Sequence, residues 1–213
     1  MSNDFLLARF GANTAEPVHV GHSDATVTRL RRGRETLFHK AGRGVDEEAA
    51  RLAWLNSTGF PCPRVLDRGD DWMLTSGLPG RDASQAWPAG DRDAVLRAVA
   101  EGLRELHGLT DCPFVSPFPG ERAVVTHGDY AAPNVFIDPE TLRFNGILDL
   151  SRLGLGDPYV DVALMVKSLS GGLNPQYGGS PAARRFAEYY GADADDPRIE
   201  LYIDLDNSGD YLP

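Results

Sequence analysis

The chain has 213 residues, 42% of them hydrophobic and 24% charged, with a formal net charge of −10. That length can bury a core without staples, and the acidity argues against a nucleic-acid partner while suiting a cationic small molecule. Cys62 and Cys112 are the only two cysteines, too few for a disulfide framework or a metal cluster, and no stretch nears the ~20 apolar residues of a membrane span.

The opening "MSNDFLLARFG" has no basic region and only a short apolar run, so no signal peptide is read there and the expected compartment is the cytoplasm. Residues 25–32 and 35–40 read as strands flanking Gly33-Arg34, a natural hairpin turn. "VDEEAARLAWLNSTG" follows with helical spacing and Gly59 as its stop. Two short strands then flank a turn at residues 68–71, before a Gly/Pro-rich stretch.

After that stretch the pattern turns helical. Asp91 is expected to cap a helix whose Val95, Val99, Leu103 and Leu106 form one apolar stripe. A proline-rich bridge leads to "AVVTHGDYAAPNVFID", where an apolar strand breaks into a polar loop and resumes. "VFIDPETLRFNGILDL" reads as a hairpin around residues 138–141, and Asp157-Pro158 opens a further helix. A loop, a short helix over residues 182–191 and an acidic tail complete the chain. The fold class expected is α+β with two lobes: a β-rich lobe over residues 1–76, a hinge over 77–80 and a larger, mostly helical lobe over 81–213.

The interrupted strand carries the chemistry. A loop carboxylate, Asp129, can take a proton from a hydroxyl as that oxygen attacks. Asn134, five residues on, offers an amide oxygen to a hard cation, and Asp149 at the end of the next strand offers a carboxylate. One proton acceptor and an oxygen clamp for Mg²⁺ on phosphates are what phosphoryl transfer requires. Nearer the start, Lys40 ends a strand and Glu48 lies on the next helix. Glu48, Leu52 and Leu55 share one helical face, so Glu48 points inward and needs a cation, for which Lys40 is available. Glu47 instead pairs with Arg51 on the solvent side. Gly21, Ser23 and Ala25 keep the backbone small where a phosphate could approach, although a plain hairpin turn is the stronger reading of those residues alone.

Taken in order, "GHSDATVTRL", Lys40, "EEAARLAWLNSTGFPCPRV", "VVTHGDYAAPNVFID" and "GILDLSRLGLGDPYVDVAL" resemble the aminoglycoside phosphotransferase family of small-molecule kinases. The likeness is nearest to its kanamycin/neomycin 3′-phosphotransferase branch and implies a protein-kinase-like fold. By that resemblance Asp129 is the catalytic aspartate, Asn134 and Asp149 hold Mg²⁺, and Lys40 with Glu48 holds the phosphates of ATP, with GTP as the alternative donor. Gly21 and Ser23 fall in the nucleotide loop. Asp161 braces the catalytic loop, with His127 and Arg152 as further support, and Asp206 matches an acidic residue that meets the cationic substrate. His127-Gly128-Asp129 lacks the arginine that protein kinases place before this aspartate. Only eleven residues separate Asp149 from Asp161, too few for a phosphorylated activation segment, which points to a constitutive kinase for small molecules.

The sequence also departs from the resemblance. Only "GLTDCPFVSPFPGERAVVT" stands where the family inserts a helical subdomain before the catalytic loop. Asn207 replaces a glutamate of the tail, and Ser151 replaces a glycine, which is tolerable if its φ is negative. "DLDNSGD" at residues 204–210 matches half of a calcium loop whose closing glutamate would fall past Pro213, so it is read as an acidic tail. Two other readings therefore stay open: a kinase of the same fold for another hydroxylated molecule, and a truncated, non-catalytic nucleotide-binding module.

Overall fold

The computed structural model describes residues 2–18, 25–209 and 211. The chain divides into two compact units, one ending at Leu78 and the next beginning at Pro79.

The first unit is an antiparallel five-stranded sheet, ordered β1 (Thr14–Val18), β2 (Thr26–Arg32), β3 (Glu35–Ala41), β5 (Trp72–Ser76) and β4 (Val65–Arg68). The β2–β3 hairpin closes with Arg32 opposite Glu35, and Gly33 takes the left-handed φ of 60° at the two-residue turn. Two helices pack with this sheet. In α1 (Asn3–Phe10), Leu6 and Phe10 are one turn apart and join Leu30, Leu37 and Leu74 in one cluster. In α2 (Val45–Thr58), Val45 and Ala49 pack on Met73.

Strand alternation decides which side Lys40 takes. Leu37 and His39 are buried on the face that carries the Leu30–Leu74 cluster, so Lys40 projects to the other. Its register partner is Met73, which belongs to the α2 cluster. Lys40 therefore faces α2.

The second unit is mainly helical: α3 (Arg92–His107), α4 (Tyr159–Ser170), α5 (Ser180–Tyr190) and α6 (Arg198–Ser208). Two small antiparallel sheets accompany them. One joins β6 (Arg81–Asp82), β8 (Val135–Ile137) and β9 (Phe144–Ile147), and the other joins β7 (Val124–Thr126) and β10 (Gly154–Gly156). The α3 stripe read from spacing is buried, with Val95, Val99, Leu103 and Leu106 at 0–1% exposure. Helix α4 buries residues around most of its circumference, including Val160, Asp161, Ala163, Leu164 and Met165, as a helix inside a core does. The β8–β9 hairpin turns on Asp138, whose Oδ1 accepts from the amides of Glu140 and Thr141.

One local expectation needs correction, and two helices add to those expected. Asp91 occupies the N-cap position of α3, but its side chain accepts no capping bond. The N-terminal segment forms α1, capped by the Ser2 hydroxyl, where only an opening stretch was read. The acidic tail is helix α6 as far as Ser208, in keeping with the reading that residues 204–208 are not a calcium loop. Among the described residues no helix is long and apolar enough to cross a membrane.

Candidate active site

The loop between β7 and β8 carries His127, Gly128, Asp129 and Asn134, and neighbouring elements fix it at each end. Asp161, fully buried on α4, accepts the His127 amide at 2.7 Å and the Gly128 amide at 2.8 Å. Gly128 has φ of 78°, and a Cβ there would stand 2.6 Å from Arg152 Cβ and 2.7 Å from Arg152 O, so only glycine fits. Farther along, the Tyr130 hydroxyl donates to Val99 O of α3 at 2.8 Å, and the Ala132 amide donates to Ser168 Oγ of α4 at 3.1 Å.

The side chains of the loop then organise one another. The Asp129 amide donates to His127 Nδ1 at 3.1 Å, so the ring carries its proton on Nε2, which donates to Leu148 O at 2.8 Å. Asn134 closes the loop from the other end. Its Nδ2 donates to Asp129 O at 2.9 Å and to Asp129 Oδ2 at 3.1 Å.

The same bonds bring in the second carboxylate. The Leu148 amide donates to Asn134 O at 2.9 Å, while Leu148 O is held by His127. Both polar groups of the residue before Asp149 are thus tied to the loop. Asp149 itself takes a left-handed φ of 59°, whereas Ser151 has no positive φ, which removes the requirement for glycine at 151. Burial raises the Asp129 carboxyl above its ordinary range; the negative charges of Asp149 and Asp206 add to this, and Arg152 opposes it. Asp129 and Asp149 therefore share one electrostatic neighbourhood.

Arg152 links the loop to α6. Its Nη1 lies 3.4 Å from Gly128 O and 2.9 Å from Asp206 Oδ1. Lys167 Nζ reaches Asp206 Oδ2 at 2.7 Å. Burial works to raise the Asp206 carboxyl, but the Lys167 bond and the charges of Lys167 and Arg152 outweigh it and hold the group below its ordinary value. Tyr211 completes this corner. Its hydroxyl bonds Asp206 Oδ1 at 3.3 Å, its ring lies under Arg152, and it stacks on Phe118 with centroids 4.0 Å apart.

In the first unit Lys40 Nζ meets Glu48 Oε2 at 2.7 Å, with the two side chains 15% and 5% exposed. Glu47, by contrast, is a 71%-exposed partner for Arg51 at 3.5 Å. The inward and outward glutamates are thus the ones that helical spacing distinguished. Gly21 and Ser23 lie outside the described residues.

Among the described residues no three His, Cys, Asp or Glu side chains gather to hold a metal by themselves. The oxygen donors at hand are the Asn134 amide and the carboxylates of Asp149 and Asp129, a hard set that would suit a Mg²⁺ ion. The geometry adds residues that the sequence reading passed over. Lys167 and Tyr211 surround Asp206, and His107 and Tyr190 stand behind Asp161. A histidine and a lysine near helix C-termini read as ordinary partners of the helix dipole, so sequence gave no signal for either.

A model described as "Phosphotransferase enzyme family" matches residues 14–122 and 115–202. An aminoglycoside 3′-phosphotransferase of Streptomyces fradiae is 32% identical, covering 97% of this chain and 99% of that protein. The Streptomyces ribosidificus protein of the same name is 33% identical, over 89% of this chain and 93% of its own. The alignment with the S. fradiae protein runs over 267 positions against 213 residues here, so that relative carries segments this chain lacks. Among solved structures, the aminoglycoside 3′-phosphotransferase of type VIII superposes with a TM-score of 0.82 at 30% identity, covering 96% of this chain and 98% of that one. A Streptomyces rimosus aminoglycoside phosphotransferase, solved with ADP and streptomycin, gives 0.74 at 28% identity, over 94% of each chain.

Proposed function

The chain belongs to the phosphotransferase enzyme family, and from that premise we propose that it moves the γ-phosphoryl group of ATP to the 3′-hydroxyl of an aminoglycoside, a reaction that confers antibiotic resistance. The observation that carries the reading is the buried loop that sets Asp129 beside Asn134 and in the field of Asp149.

Each residue has a definable task. Asp129 orients the acceptor hydroxyl and takes its proton as the oxygen attacks; its raised pKa brings it nearer the range in which a carboxylate accepts a proton effectively. His127 and Asp161 fix the backbone from which Asp129 projects. Asn134 and Asp149 would hold Mg²⁺, which when bound neutralises charge on the transferring phosphates. Lys40, its ammonium fixed by Glu48, is offered to the α- and β-phosphates. The donor is ATP, as the ADP in the S. rimosus complex suggests, with GTP as the competing donor in the same assay.

The acceptor is cationic by this reading, in keeping with a chain of net charge −10. One observation favours a second acceptor class. The segment from His107 to Val124 is a short bridge, and the S. fradiae relative is longer than this chain. A smaller pocket would suit a smaller hydroxylated molecule. An ATP-consumption assay over kanamycin, neomycin and simpler cyclitols separates the two acceptor classes. Transfer to kanamycin or neomycin, lost by about 10²- to 10⁴-fold in Asp129→Ala with the fold intact, is the expected result. ATP binding without transfer to any acceptor would leave only a nucleotide-binding module.

A further inference from the structure

Asp161 holds two loop amides, and a carboxylate that does so must itself be oriented. The partner on its far side is His107, in the last turn of α3. His107 Nε2 lies 3.0 Å from Asp161 Oδ2, and His107 Nδ1 lies 2.7 Å from the hydroxyl of Tyr190 at the end of α5. The His107 and Asp161 side chains are 5% and 0% exposed. A carboxylate only accepts, so Nε2 carries a proton toward Asp161; in the neutral ring Nδ1 then accepts from the Tyr190 hydroxyl. Burial, reinforced by the charge of Asp161, pushes the Tyr190 hydroxyl up to about 12, so it keeps the proton it donates. The two rings meet edge-on at 83°, with centroids 5.5 Å apart.

We propose that His107 and Tyr190 are positioning residues for phosphoryl transfer: the chain Tyr190–His107–Asp161 orients the carboxylate that holds the His127 and Gly128 amides, and so sets where Asp129 stands against the attacking hydroxyl. The inference rests on the phosphotransfer reading above. His107 is engaged with Asp161 on one side and with Tyr190 on the other. Loss of His107 or Tyr190 therefore acts on the aim of Asp129, where a misplacement of about 1 Å can lower the rate about 10²-fold.

Three variants test it. Tyr190→Phe removes one hydroxyl and leaves the ring. His107→Leu removes both bonds, whereas His107→Gln keeps an N–H for Asp161 and an oxygen for Tyr190. The expected result is a kcat for transfer to kanamycin that falls roughly tenfold in Tyr190→Phe and roughly a hundredfold in His107→Leu, with unchanged KM for ATP and kanamycin. His107→Gln recovers most of the loss, and imidazole ¹⁵N spectra place the proton on Nε2, with the Nδ1 resonance moving in Tyr190→Phe. Wild-type kcat in both Tyr190→Phe and His107→Leu, or a fall that only tracks the folded fraction and is not rescued by glutamine, overturns the proposal. If the wild-type protein transfers phosphate to no aminoglycoside, the functional reading fails, and the relay is judged by hydrogen exchange at the His127 and Gly128 amides. Faster exchange in Tyr190→Phe at equal global stability then supports it, and unchanged exchange overturns it.

Discussion

Arg152 and Asp206, 54 positions apart in sequence, meet at 2.9 Å, and Lys167 holds the other oxygen of the same carboxylate at 2.7 Å. The last helix is thereby tied to the strand-end segment and to α4 by one anion. Asp206→Asn leaves two cations facing a neutral amide, which is expected to lower stability by about 1–2 kcal/mol at pH 7, discounted for the partial exposure of both cations. Because the Asp206 pKa lies below its unfolded value, its contribution is complete above about pH 4 and is lost as pH falls through the folded-state pKa. Urea midpoints of wild type and variant should therefore converge in acid, and a constant gap down to pH 3 would rule out the ion pair as the cause.

Asp161 is the more demanding case because it is buried and accepts from three donors, two of them backbone amides. In Asp161→Asn one acceptor oxygen becomes an N–H, so at least one of those donors loses its partner. The expected loss is about 1–3 kcal/mol of stability, and the loop amides should exchange faster than those of α3. Differential scanning calorimetry and hydrogen exchange read the two effects, and a variant with wild-type values in both would show that the loop is held by other contacts.

How much of this was legible in the sequence follows from what each signal depends on. The β2–β3 hairpin, α2 and the α3 stripe depend on local periodicity and turn chemistry, and all three are present. Glu48 was separable from Glu47 because one helical turn decides which glutamate faces the sheet. Helix α6 escaped because only Ile199 and Tyr202 are buried on it, so its acidic surface reads as tail. Strand β10 escaped because Gly154 and Gly156 carry no side chains to reveal a period; Gly154 instead lets the backbone of residues 115–116 come close. The partners of Asp161 and Asp206 come from distant helices, and no local pattern announces which histidine or lysine will meet which carboxylate.

The Lys40–Glu48 pair supplies a control within one helix. Glu48→Gln leaves Lys40, mostly out of water, facing an amide, so the ammonium is held less firmly for a phosphate. ATP affinity, measured by isothermal titration with Mg²⁺ present, should weaken by roughly tenfold, with no change in acceptor KM. Glu47→Gln removes the 71%-exposed partner of Arg51 and should leave affinity unchanged. Equal weakening in both variants would point to general loss of negative charge from α2 rather than to the fixed ammonium.

His39 gives the first unit its own acid sensitivity. The residue is 3% exposed, its ring stacks on Trp72 with centroids 5.6 Å apart and tilts against Phe10, and among the described residues its Nε2 has no hydrogen-bond partner. Burial is the largest cause lowering its pKa; the Arg9 cation lowers it further, and the Asp71 carboxylate opposes the shift. A base whose folded-state pKa is depressed binds its proton more readily in the unfolded chain. Stability is therefore full above the unfolded value, about 6.5, and falls as pH drops from there toward the folded-state value. His39→Leu removes the titration while keeping an apolar side chain under α1. Thermal melts between pH 7.5 and 5 should thus show wild type losing stability while His39→Leu stays flatter through the same range. Parallel curves for the two proteins would assign the acid sensitivity to other groups, and a wild-type curve that rises as pH falls would mean that His39 gains a partner for its proton in the folded state.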